Sequence, residues 1–173
     1  MKILNLHGLN GSSNNTNYKF LSNYYKGRND VIIVSPQLDY VNLSPSTILV
    51  DILTKCPDPT IIVGNSFGGF FAYLVGAMTG VKTFLINPCV PPHKYIKNII
   101  PDYQYSDILE YIWNRFSNVN VDYDMLLGDN DEVLDIKTTL NSLYAADSRS
   151  KIIAGGHSLS GEEYENWFKE RLK

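Results

Sequence analysis

The apolar positions of this chain come in two rhythms. Short runs rich in Ile, Val and Leu alternate with longer stretches in which apolar residues return every three or four positions. The first rhythm predicts buried strands and the second amphipathic helices. Residues 3–6, 31–34, 60–63, 82–86, 122–127 and 151–154 read as six strands. Tyr18, Leu21, Tyr24 and Tyr25 mark one side of a first helix. Ser44 and Pro45 supply an N-cap and a first-turn proline for a second, with an apolar face of Ile48, Leu49, Ile52 and Leu53. Further helices are predicted over 67–78, 106–116, 135–146 and 161–172, and a tight turn over 64–69.

None of the six runs shows the strict polar alternation of a half-solvated strand, and helical segments separate them. That pattern predicts a three-layer α/β fold, with about six mostly parallel strands covered by helices on both faces. Residues 89–118 are less regular, and the pair Pro91-Pro92 reads as a breaker there. The expectation is a single α/β domain over residues 1–173, with 89–118 as a small cap. A length of 173 residues is ordinary for one domain.

Charge and cysteine content narrow the picture. Fifteen Lys and Arg against eighteen Asp and Glu give a net charge of −3, which leaves no basic footprint for nucleic acid. No apolar run reaches the ~18 residues of a membrane span, and residues 1–9 carry no secretory pattern. Cys56 and Cys89 have neither metal-finger nor disulfide-framework spacing. A cytoplasmic protein acting on a small molecule is expected.

In open α/β sheets the chemistry lies beyond the carboxyl ends of the strands. Those ends carry His7-Gly8, Ser35-Pro36, Gly64-Asn65-Ser66, Asn87-Pro88, Gly128-Asp129-Asn130-Asp131 and Gly155-Gly156-His157. Gly64-Asn65-Ser66-Phe67-Gly68 matches G-x-S-x-G between a strand and a helix, the setting in which a strained turn exposes a serine hydroxyl. The glycines do not fit a dinucleotide or phosphate loop. Ser66 stands where G-x-G-x-x-G needs its second glycine, and Phe70 where the phosphate loop needs lysine.

A serine needs a base near neutral pH, and His157, after a strand and two glycines, is the candidate. The acid that would orient its ring is Asp131, with Asp129 as the alternative, while Asp135 reads as a helix N-cap. The backbone N–H groups of Leu9 and Phe67 are the candidate oxyanion donors. His7 is expected to hold the Leu9 loop. His7, Asn65, Tyr95 and Tyr103 are the candidate substrate-contacting residues, and His93 a surface residue near the mouth of the site. Tyr95, Tyr103, Tyr105 and Tyr111 either line an acyl pocket or pack a small cap. The cluster Asp129, Asp131 and Asp135 lacks the spacing of a calcium loop, so no metal and no cofactor are expected.

Together these residues resemble the α/β-hydrolase superfamily. Within it the chain looks most like the small bacterial esterases of the YqiA/YcfP type (UPF0227). The matching pieces are His7-Gly8-Leu9-Asn10-Gly11-Ser12-Ser13, Ser35-Pro36-Gln37-Leu38, Ile62 through Ala72, Asn87-Pro88, Gly128 through Leu134, and Gly155-Gly156-His157. The resemblance implies a Ser66–Asp131–His157 triad, with Leu9 and Phe67 amides as oxyanion hole, acting on carboxylic esters or acyl-thioesters. The alternatives are a binding or scaffolding protein with slow or vestigial catalysis, or an acyltransferase using the same residues.

Overall fold

The computed structural model describes residues 1–144 and 149–172. Six strands, β1 (Lys2–Leu6), β2 (Ile32–Val34), β3 (Ile61–Asn65), β4 (Thr83–Ile86), β5 (Tyr123–Gly128) and β6 (Ser150–Ile153), form one parallel sheet in the order β2-β1-β3-β4-β5-β6. Among the described residues, seven helices connect and flank them: α1 (Thr16–Tyr24), α2 (Pro45–Lys55), α3 (Phe67–Thr79), α4 (His93–Ile99), α5 (Ser106–Phe116), α6 (Ile136–Ser142) and α7 (Glu162–Arg171). This is the three-layer architecture of α/β-hydrolases.

In the central strands side chains alternate between two buried faces, which is why these strands show no polar stripe. On β1, Leu4 and Leu6 face the layer of α2, α3 and α5, where Ile48, Ile52, Phe67, Phe70, Phe71, Leu109 and Trp113 complete the larger core. Ile3 and Val63 face the opposite layer, where Leu21 of α1 and Tyr164, Trp167 and Phe168 of α7 meet them. Helix α3 is apolar nearly all round, and its first ten residues are buried because it lies between the sheet and the outer helices.

Helix ends follow local chemistry. Ser44 caps α2 by accepting the Thr47 amide, Asp135 caps α6 through the Thr138 amide, and Gly80 closes α3 at φ +71°. Three expectations change. The turn over 64–69 contracts to Ser66 alone, since β3 runs through Asn65 and α3 starts at Phe67. Pro91-Pro92 does not break structure but introduces α4, a proline being well suited to the start of a helix. The helix expected over 135–146 stops at Ser142, and 145–148 lie outside the described residues. Among the described residues, no helix is long and apolar enough to cross a membrane.

Candidate active site

The site is assembled at the carboxyl edge of β1, β3, β4, β5 and β6. Ser66 occupies the step from β3 to α3 with φ 52° and ψ −125°, a conformation that costs a non-glycine residue of order 1–3 kcal/mol. Neighbours hold it there. Its amide donates to Ile86 O at 3.0 Å, and its carbonyl accepts from Gly69 N at 2.9 Å and Cys89 N at 2.8 Å. The small residues around it permit this crowding. A Cβ on Gly68 would meet the backbone of Leu6 and His7, and one on Gly8 would lie 3.0 Å from Ser66 Cβ. The loop after β1 and the first turn of α3 therefore touch through backbone.

Ser66 Oγ lies 2.8 Å from His157 Nε2, although the two residues are 91 positions apart. The other ring nitrogen, Nδ1, is 3.0 and 2.9 Å from the two oxygens of Asp131. An ionised carboxylate only accepts hydrogen bonds, so Nδ1 carries the proton and Nε2 is left free to accept from the serine. Asp131 Oδ1 also accepts the amides of Val133 at 2.8 Å and Leu134 at 2.9 Å, and its side chain is only 2% exposed. Burial works against its charge, but the bonds from His157, Leu134 and Val133 outweigh burial and hold the carboxyl below the usual Asp range. Asp129, the alternative acid, instead accepts the Gly155 amide at 3.0 Å.

The Phe67 amide stands at the start of α3, where no intrahelical acceptor exists. Among the described residues the Leu9 amide also donates to no protein acceptor. His7 organises the loop that carries Leu9. Its Nδ1–H donates to Gly8 O at 2.7 Å, while Nε2 accepts from Leu38 N at 3.0 Å. Tyr40 OH donates to His7 O at 2.7 Å. Burial lowers the His7 pKa, against the opposing pull of the Gly8 bond.

Sequence reasoning assigned substrate contacts that the structure redistributes. His7 is 1% exposed with both nitrogens engaged, so it holds the loop and has no polar atom left for a substrate. Tyr103 is buried, in the wall of a 260 Å³ cavity that includes neither Ser66 nor His157. The Tyr95 hydroxyl meets the backbone of Asp135, accepting its amide at 3.3 Å. His93 is half-buried rather than a free surface residue. Asn65 lies in the wall of a 310 Å³ cavity shared with Asn15, Asn17, Lys19 and His157. A second cavity of 350 Å³ opens beside Leu9, against Asn10, Gln37, Asp39 and Tyr40. Cys89 is adjacent, but burial pushes its thiol up to about 12, with the Asp131 charge adding to the effect, so it stays protonated. Among the described residues, no group of three or more His, Cys, Asp or Glu side chains is placed to hold a metal ion.

Two residues bearing on His157 carried no such role in the sequence reading. Glu132 Oε2 accepts the His157 amide at 2.9 Å, and Asn87 Nδ2 donates to His157 O at 2.8 Å. Asn87-Pro88 was visible as a marked dipeptide at the end of a strand, whereas nothing separated Glu132 from its acidic neighbours.

The model of the uncharacterised protein family UPF0227 matches residues 2–165. The chain belongs to this family. A UPF0227 protein from Shewanella sp. (strain ANA-3) is 34% identical over 92 residues, and so is one from Shewanella sp. (strain MR-4). Each alignment spans 51% of this chain and 51% of the relative, so the match covers about half the length of these curated UPF0227 proteins. Among solved structures, mouse alpha/beta hydrolase domain-containing protein 10 superposes with a TM-score of 0.74 at 14% identity, over 99% of this chain and 87% of that one. Est1E from Butyrivibrio proteoclasticus gives 0.72 at 16% identity, over 99% and 86%. At these identities the likeness is one of fold.

Proposed function

We propose that this UPF0227 protein is a serine hydrolase that cleaves carboxylic esters or acyl-thioesters through an acyl-enzyme on Ser66. The observation that carries the reading is the hydrogen-bonded line from Ser66 Oγ through His157 to Asp131. In the proposed reaction Ser66 Oγ bonds to the acyl carbon while its proton passes to His157 Nε2. The carbonyl electron pair moves onto oxygen, between the amides of Leu9 and Phe67. Collapse breaks the bond to the alcohol or thiol, which leaves with the proton from Nε2. Water then repeats the sequence and frees Ser66. Asp131 fixes the ring tautomer and stabilises the imidazolium formed on the way. We read residues 1–173 as one hydrolase domain in which 89–118 forms a small cap.

The cavity that Asn65 and His157 share is lined largely by polar residues, so short acyl esters are the appropriate first substrates. A fluorophosphonate probe is expected to label the protein but not Ser66→Ala, and p-nitrophenyl acetate turnover is expected to vanish in the same variant. An unlabelled wild type, or equal labelling of Ser66→Ala, would overturn the proposal.

A further inference from the structure

His157 sits on a loop that has little stiffness of its own. It follows Gly155, at φ +153°, and Gly156, so the segment that delivers the imidazole has more backbone freedom than any side-chain-bearing pair would allow. What fixes it is external. The His157 N–H donates to Glu132 Oε2 at 2.9 Å, and the His157 C=O accepts from Asn87 Nδ2 at 2.8 Å. The two backbone polar groups of one residue are thus held by side chains from two other strand ends. Asn87 makes two more bonds from the same amide group. Its Nδ2 also donates to Gly156 O at 3.1 Å, and its Oδ1 accepts from Gly128 N at 2.8 Å. It therefore ties the end of β4 to the end of β5 and to the histidine loop at once.

Asn87 and Glu132 differ in environment. Asn87 is 2% exposed with φ +39°, built into the interior. Glu132 is an exposed residue one position after Asp131, and its carboxylate closes over the loop from outside; a Cβ on Gly156 would lie 2.6 Å from its Oε2. A surface carboxylate bonded to a backbone N–H across 25 positions adds little to global stability, yet this one meets the amide of the residue whose ring reaches Ser66.

We infer that Glu132 and Asn87 are positioning residues that hold His157 by its backbone, Glu132 at the amide and Asn87 at the carbonyl, and so keep Nε2 within reach of Ser66 Oγ. The inference rests on the serine-hydrolase reading above. Asp131 controls how the ring is turned; these two control where its backbone is. A displacement of about 1 Å in such an arrangement costs on the order of 10²-fold in rate.

The test compares Glu132→Ala and Glu132→Gln with wild type, following fluorophosphonate labelling rate, kcat and KM for p-nitrophenyl acetate, and Tm. Glu132→Ala is expected to lower both the labelling rate and kcat by roughly 10–100-fold, with KM within twofold and Tm nearly unchanged. Glu132→Gln keeps an acceptor oxygen and is expected to recover most of the loss. Asn87→Asp keeps the acceptor for Gly128 but loses both donors, and should repeat the kcat loss beyond what its Tm accounts for. Wild-type rates in Glu132→Ala, a loss that tracks Tm, or a Gln variant no better than Ala would each overturn the inference. Failure of the underlying reading has a different signature, since wild type itself would then fail to label.

Discussion

Gly68→Ala tests whether the site depends on direct backbone contact between α3 and β1. The added methyl would meet Leu6 O at 2.6 Å and the His7 carbonyl carbon at 2.8 Å. Neither atom belongs to a side chain that can rotate away, and β1 is fixed by its pairing with β2 and β3. Alanine gains about 1 kcal/mol over glycine in helix propensity. Overpacking costs about 1–3 kcal/mol and sometimes more, and contact with backbone puts this position at the upper end. The net is a destabilisation of about 2 kcal/mol, or a Tm lowered by roughly 4–8 °C for a chain of this size. The greater effect falls on turnover. The Phe67 amide is carried by α3 and the Leu9 amide by the loop after β1, so pushing the two apart by about 1 Å should cost on the order of 10²-fold in kcat for p-nitrophenyl acetate. Gly80→Ala is the control. Nothing lies within 4 Å of its Cβ, and only the left-handed backbone at φ +71° is penalised, by about 1–2 kcal/mol, without loss of turnover. Gly68→Ala with wild-type Tm and kcat would refute the contact and the reasoning built on it.

Asp131→Asn should preserve folding but cut kcat by roughly 10³–10⁴-fold, measured beside the labelling rate, because an amide no longer enforces the tautomer that leaves Nε2 free. Asp131 titrates below the ordinary Asp value of 3.8 in the folded protein, so its stabilisation is complete above that pH and disappears as pH falls through the folded value. His7 makes a second contribution with the same pH direction. Its folded pKa lies below 6.5, so under that pH the unfolded chain binds a proton which the folded chain refuses, and stability declines. Denaturant titrations from pH 7.5 to 5 should show this fall in wild type and a flatter profile in His7→Gln; parallel profiles would count against it.

The fold was legible because its signals are local. Ile, Val and Leu runs, Ser44-Pro45 and Asp135 each act on neighbours within a few residues. The Ser66 turn was legible for the same reason, a strand, a serine between glycines and an apolar helix being contiguous. What escaped depends on the depth and curvature of the assembled layers. Nothing in the spacing of Tyr103 says that its side chain is buried in the core. Pro91-Pro92 was misread because proline both ends and begins helices, and only the path of the following chain decides which. Glu132 and Asn87 act across 25 and 70 positions, a separation that the sheet closes and the linear order hides.

The strand order also fixes how the site comes together as the chain is made. β1, β2 and β3 pair only with one another or with β4, and β5 and β6 then add one after another on the same side. A growing chain ending just after β4 already holds the partners that bend Ser66 into its turn and bring the Leu9 loop beside it. It holds neither Asp131 nor His157. Synthesis from the amino end thus supplies the strand ends that carry Leu9 and Ser66 well before those that carry Asp131 and His157.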